Sequence, residues 1–248
     1  MLGKSPSWAD AGGACSGYLI QEGAYTLLLD CGAGVFGKLR ERHDYLAVDA
    51  VLISHLHSDH FFDLVPFSYG LELSARQSEP PRRPSLLAPP GAREVFRGVL
   101  GAWGNEELIE SAFSLREYDP DSELVLGPLE ARFCEVPHFT RTFAVELRAG
   151  GARFTFGADC GPNQELVQFA GATDLLMLEA TLEEPEPGPE RGHLTAREAG
   201  ELARQARASR AVLTHFSDEL DRERIQAEGS AGYGSLVELA REGAVYEL

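Results

Sequence analysis

Residues 52–63, LISHLHSDHFFD, set three histidines and two aspartates within nine positions, directly after a run of apolar, β-favouring residues. Desolvating several imidazoles beside carboxylates is expensive unless a cation sits among them. His55, His57, Asp59 and His60 therefore read as metal ligands. Imidazole and carboxylate oxygen suit a divalent first-row ion, zinc before manganese or iron. The absence of cysteine from the cluster argues against a closed structural zinc knuckle.

The elements that must position these donors come from the apolar periodicity. Strand signals cover SGYLI and YTLLLD, joined by QEGA, then AVLISH and LEARFCEVPH. FAVELRAG and ARFTFGAD follow, joined by a hairpin turn at Gly150-Gly151, and then DLLMLEAT and RAVLTHF. Helical spacing covers residues 34–42, 60–75, 91–112, 162–171, 194–208 and 234–242, and there is no internal repeat. The acidic, proline-rich LEEPEPGPERG, residues 182–192, is expected as an exposed loop inside one domain spanning residues 1–248.

On this map His55, His138, Asp159 and His215 each follow an apolar strand, the end at which open α/β sheets collect their active sites. Four strand ends can thus meet at one spot. His193 is placed by the helix that follows it. Thr195 with Glu198 forms a Thr-x-x-Glu capping box, and Ala199, Leu202, Ala203 and Ala206 make an apolar stripe. A helix of about 20 Å followed by a strand of about 16 Å runs down one layer and returns along the next. The helix start and the strand end then coincide, which puts His193 near His215 on a loop edge open to substrate. The alternative is a histidine that only packs or caps.

The 248 residues are 44% hydrophobic, ample for a buried core. No apolar run reaches eighteen residues and the N-terminus lacks a signal-peptide layout, so a soluble, cytoplasmic protein without a membrane span is expected. Cys15, Cys31, Cys134 and Cys160 show no CxxC spacing and read as free thiols. Against 39 acidic residues there are 22 basic ones, a net charge of −17 that would repel long nucleic acid except where arginines gather. Such a gathering, Arg76, Arg82, Arg83, Arg93 and Arg97, reads first as a solvated surface.

The ordered set His-x-His-x-Asp-His, His138, Asp159 and His215 resembles the metallo-β-lactamase superfamily, from SGYLI to THFSDE. The resemblance implies an α/β fold of α+β type, a four-layer αββα sandwich with a two-metal site between the sheets. It implies that His55, His57 and His138 hold one metal and Asp59, His60 and His215 the other, with Asp159 bridging. Asp30, in LLLDCG, would orient the ligands, and Gly32 would allow a tight turn beside it.

Within the superfamily, LEATLEE and GHLTAREAGELAR, followed by AVLTHFS, are similar to the paired Glu-Ala-Thr and His-x-Thr segments of the ribonuclease Z and phosphodiesterase branch. Lactamases and glyoxalase II enzymes lack that pair. The resemblance puts His193 beside the scissile phosphate with Glu179 supporting it, so the catalytic candidates are Asp59, His193 and Glu179. Ribonuclease Z carries a long basic arm for transfer RNA, a His before the Glu-Ala-Thr and a Gly at position 63, and this chain has none of these. CSGYLI, LDCGAGVFGKL and HLHSDHFFDLVP are closer to small phosphodiesterases of the branch, some of which hydrolyse cyclic nucleotides.

The expected function is a two-metal hydrolase of a small phosphodiester or nucleotide, in which two cations activate a shared water. Ribonuclease Z-like RNA 3′-end processing is the first alternative, and carboxyl-ester, thioester or lactam hydrolysis the second. Arg141, three residues past His138, offers a phosphate contact or only a solvated charge. A homodimer is compatible with this reading.

Overall fold

The computed structural model describes residues 1–78 and 80–248. Strand β1 (Tyr18–Glu22) pairs antiparallel with β2 (Tyr25–Leu29). After helix α1 (Val35–Arg42) comes β3 (Ala50–Leu52), which joins β2 in parallel. The single-turn α2 (Ser58–Phe61) and α3 (Leu64–Leu73) lead to β4 (Ser85–Ala88), and α4 (Ala92–Gly101) and α5 (Leu108–Ala112) lead to β5 (Ser114–Glu117). The first sheet has the order β1-β2-β3-β4-β5.

Strand periodicity sorts its side chains into two layers. Leu28, Val51 and Leu86 face outward, onto Val35, Phe36 and Leu39 of α1, Phe67 of α3 and Phe96 and Leu100 of α4. Leu27, Leu29, Ala50, Leu52 and Leu87 face inward, onto the second sheet.

That sheet is built from β6 (Leu124–Leu126), β7 (Leu129–Val136), β8 (Thr142–Ala149) and β9 (Ala152–Phe156), an antiparallel meander. After α6 (Gln164–Phe169), β10 (Leu175–Glu179) adds parallel to β9. Helix α7 (Ala196–Gln205) then leads to β11 (Arg210–Thr214), and α8 (Arg222–Tyr233) to β12 (Glu238–Leu239). The order is β12-β11-β10-β9-β8-β7-β6. Two sheets face to face with helices outside them make the expected αββα sandwich. The β8–β9 hairpin turns at Gly150 and Gly151, both at positive φ.

The structure departs from the sequence reading in three helical segments. Residues 234–242 are not helical: Gly234, at φ 80°, ends α8, and Glu238–Leu239 pair in parallel with Val212–Leu213. The helix lies upstream instead. It has no broad apolar stripe because it packs by close backbone approach: a Cβ on Gly200 of α7 would sit 2.1 Å from the Gly229 carbonyl oxygen, and one on Gly232 2.3 Å from that of Arg197. The spans 60–75 and 91–112 are each two helices, the second interrupted around Gly104 at φ 79°. Among the described residues no helix is long and apolar enough to cross a membrane.

Candidate metal and active site

Five strand ends meet at one edge of the sandwich. Asp30 follows β2, His55 comes three residues after β3, His138 two after β7, Asp159 three after β9, and His215 directly after β11. Glu179 closes β10 in register with Thr214, so it lies level with His215. The single turn of α2 brings in His57 at its N-cap and buries Asp59 and His60. Asp30, Ala158 and His215 all adopt left-handed backbone, φ 56°, 54° and 55°, which turns the chain sharply where a ligand must be aimed. Gly32 is not at positive φ; it is small because a Cβ there would lie 1.8 Å from the Asp59 carbonyl oxygen.

The hydrogen bonds fix the histidine tautomers. His60 Nδ1 lies 2.7 Å from Asp30 Oδ2, an acceptor, so Nδ1 carries the proton. The Ser54 hydroxyl donates to Asp30 at 2.8 Å and therefore accepts from His55 Nδ1 at 3.1 Å. His138 Nδ1 donates to the Gly192 carbonyl at 2.8 Å. The Thr181 hydroxyl donates to Glu179 Oε2 at 2.5 Å and accepts from His215 Nδ1 at 2.9 Å. Four Nε2 lone pairs are thereby turned toward the same carboxylates.

His138 Nε2 also lies 3.0 Å from His57 Nδ1, while the other three face carboxylate oxygens, which bring no proton. His60 Nε2 is 3.4 Å from Asp59 Oδ2 and 3.4 Å from Asp159 Oδ1, while His215 Nε2 is 3.2 and 3.3 Å from the Oδ2 atoms of the same residues. His55 and His138 Nε2 are 3.9 and 4.0 Å from Asp159 Oδ2. His55 Nε2 and His60 Nε2 are buried with no hydrogen-bond partner, a cost of about 1–3 kcal/mol each unless something ligates them. Bare nitrogens facing carboxylate oxygens are what a bound cation requires.

The donors form two sets, each with its ligand atoms within 4.8 Å of one another, His55–His57–His138 and Asp59–His60–Asp159–His215, and His193 makes further groups with His138 and Asp159 and with Glu179 and His215. Asp159 reaches toward both. Burial and the neighbouring His60 push the His55 pKa well below its usual value, and burial pushes His138 to about 4, so both stay neutral and able to ligate. Burial works against ionising Asp159 and Asp59, but the facing imidazoles outweigh it and keep both as carboxylates. Burial likewise opposes a His60 cation, yet Asp159 and Asp30 hold its pKa well above the usual value, so a proton and a metal cation compete for its Nε2.

His193 lies beside this cluster, its ring 4.9 Å from that of His138 and 5.9 Å from that of His215. The capping box that located it is present, Thr195 and Glu198 bonding reciprocally. Its Nδ1 is 2.8 Å from Glu179 Oε1, and Glu179 also accepts the N–H groups of Cys160 and Leu194. Burial opposes the His193 cation, but the Glu179 bond and charge raise its pKa to about 9.

All seven ligand candidates and all three catalytic candidates therefore converge. Arg141 does not join them: it pairs with Glu135 at 3.0 Å, half exposed. The arginine gathering is engaged locally: Arg76 pairs with Asp44, Arg82 with Asp49, and Arg93 and Arg97 share Glu110, while Arg83 donates to the Phe113 carbonyl. Four contributors escaped the sequence reading: Ser54, the Thr181 hydroxyl, the Gly192 carbonyl, and Glu186, which accepts the N–H of Gly192 at 2.8 Å and of His193 at 3.2 Å. Only Thr181 carried a signal, as part of the Glu-Ala-Thr segment.

The family model described as the beta-lactamase superfamily domain matches residues 25–216. A probable metallo-hydrolase of Bacillus subtilis (strain 168), YhfI, is 27% identical over 247 residues, covering 100% of this chain and 98% of its own. The crystal structure of that metallo-β-lactamase fold protein superposes with a TM-score of 0.87 at 26% identity, over 99% of this chain and 96% of the other. Ribonuclease Z of Myxococcus xanthus (strain DK1622) is 29% identical over 287 residues, 94% of this chain and 92% of its own. A diphosphatase of the PhnP family shares the fold, with a TM-score of 0.74 at 19% identity over 98% and 93% of the two chains.

Proposed function

Because the chain belongs to the beta-lactamase superfamily, we propose that its 248 residues work as one metal-dependent hydrolase domain that cleaves phosphodiester bonds of a cyclic or short nucleotide. His55, His57 and His138 would hold one divalent ion and Asp59, His60 and His215 a second, with Asp159 shared; imidazole and carboxylate donors fit zinc, with manganese or iron as alternatives. When bound, such a pair supplies an activated water and neutralises charge on phosphoryl oxygens.

The chain's own residues handle the protons. Asp59, held as a carboxylate, accepts the proton of the attacking water as its oxygen bonds to phosphorus. Glu179 anchors the His193 imidazolium by Nδ1, and the other ring nitrogen, which makes no hydrogen bond to the protein among the described residues, gives its proton to the departing ester oxygen.

The Glu179–His193 pair is the observation that carries this reading. An alkoxide leaving phosphorus needs a proton, whereas a thiolate leaving a thioester needs none. The test is metal-reconstituted enzyme assayed against bis-p-nitrophenyl phosphate, cyclic nucleotides, a thioester and a lactam. Turnover of phosphodiesters above the other two is expected, and preferential turnover of the thioester or the lactam overturns the reading.

A further inference from the structure

Phe139 follows the ligand candidate His138 and is 62% exposed, although a large apolar side chain gains from burial. Single exposed hydrophobics are ordinary on a protein surface, but this one is held in place. One side of its ring lies against Gly192, so closely that a Cβ there would come within 2.4 Å of Phe139 Cε2. The ring centroid is 5.3 Å from that of His138 and 5.9 Å from that of His193. Gly192 is itself fixed at both ends, its N–H on Glu186 and its carbonyl on His138 Nδ1. A rigid aromatic plane thus stands open at the rim of the proposed site, beside the residue assigned to the leaving group.

We propose that Phe139 is a specificity-determining residue that stacks on the nucleobase of the substrate, so that the site takes nucleoside phosphodiesters in preference to phosphodiesters lacking a base. This rests on the phosphodiesterase reading above. Every base offers a π-face, so an aromatic platform selects for a base without selecting which one. Its place one ring beyond His138 and His193 leaves room for the sugar between the phosphate and the base.

The test uses zinc-saturated protein and calorimetric binding of AMP and of ribose 5-phosphate, which share the phosphorylated ribose and differ in carrying the base or a hydroxyl at C1′. AMP is expected to bind about tenfold tighter to the wild type, within the range of one base–aromatic stack. Phe139→Leu keeps apolar bulk on Gly192, and so the orientation of His138, while removing the π-face. It should lose most of the AMP advantage with ribose 5-phosphate unchanged, and Phe139→Trp should restore it. Equal binding of the two ligands to the wild type, or an equal loss of both in Phe139→Leu, overturns the proposal. Hydrolysis of cyclic AMP and of methyl p-nitrophenyl phosphate, which has no base, is measured in parallel. If the wild type cleaves neither, the phosphodiesterase reading fails and this proposal falls with it; if either is cleaved while Phe139→Leu keeps the full AMP preference, only the stacking role is refuted.

Discussion

Glu179 grips His193 at Nδ1 across 2.8 Å and, through the Thr181 hydroxyl, also sets the tautomer of His215. One carboxylate thus serves two histidines in different offices, and only His215 is needed for the metal sets of the proposed function. His193→Ala should keep both metals and the fold while turnover of an alkoxide-leaving phosphodiester drops roughly 10²-fold. With p-nitrophenolate as the leaving group, which needs little protonation, the loss should be smaller. Elemental analysis of the mutant decides between roles: a variant that drops its metal makes His193 a ligand.

Asp159 lies within 4 Å of His55, His60, His138 and His215 nitrogens. Elemental analysis of the wild type at saturating metal should give two divalent ions per chain. Asp159→Ala should retain less metal than a substitution at any single histidine of the cluster, because each histidine serves one set and Asp159 both. Equal retention in Asp159→Ala and His57→Ala would remove the bridging assignment.

Acid stability should report on a strap behind the site. The buried Lys4 ammonium donates to the Phe216 carbonyl at 2.7 Å and pairs with Asp10, which also accepts the Asp218 N–H at 2.9 Å. Burial opposes the Asp10 carboxylate, but Lys4 and Asp218 outweigh it and hold its pKa below the usual 3.8. A depressed aspartate stabilises the fold above its unfolded pKa and loses that contribution as pH falls. In urea titrations with chelator present throughout, Asp10→Asn should unfold earlier than the wild type at neutral pH. That gap should persist down to about the ordinary 3.8 and close only below it; a gap that closes between pH 7 and 5 would contradict the assignment.

Precursor transfer RNA should bind weakly and should not be matured at physiological salt. The net charge is −17, and the arginines around residues 76–97 are already engaged with Asp44, Asp49, Glu110 and the Phe113 carbonyl. Few cations are left to displace counterions from an RNA backbone. Site-specific cleavage at a tRNA 3′ end in 150 mM salt, assayed on gels at about that ionic strength, would instead favour an RNA-processing role.

Much of the cluster was legible because its donors sit where apolar strands stop, and strand ends can be read from a run of Val, Leu and Ile. His193 was legible for a different reason: the Thr195–Glu198 box marks a helix start, and a helix followed by a strand brings that start back to the strand's end. Helix α8 was not legible, since its buried contacts are Ile225, Gly229 and Gly232, and glycine leaves no mark in an apolar pattern. The segment after it misled for the converse reason. Val237 and Ala240 are buried and spaced as in a helix, but they flank a two-residue strand. The side-chain bonds of Ser54, Thr181 and Glu186 span separations from 1 to 34 residues with no fixed spacing, and the Gly192 bond belongs to the backbone; neither leaves a periodic trace.

The left-handed backbone at Asp30, Ala158 and His215 bears on how metal is captured. Such conformations cost about 1–3 kcal/mol apiece and persist only where the surroundings over-determine them. Here the surroundings are two sheets locked by inward-facing leucines, with the strained residues as their last links. The donor atoms are consequently frozen in place by the folding of the sandwich, and an arriving ion need not order them. Affinity for metal is in this sense deposited during folding, so that a loosening of the inter-sheet layer at Leu29 or Leu52, which touches no ligand, would be felt as weaker metal retention before it was felt as loss of shape.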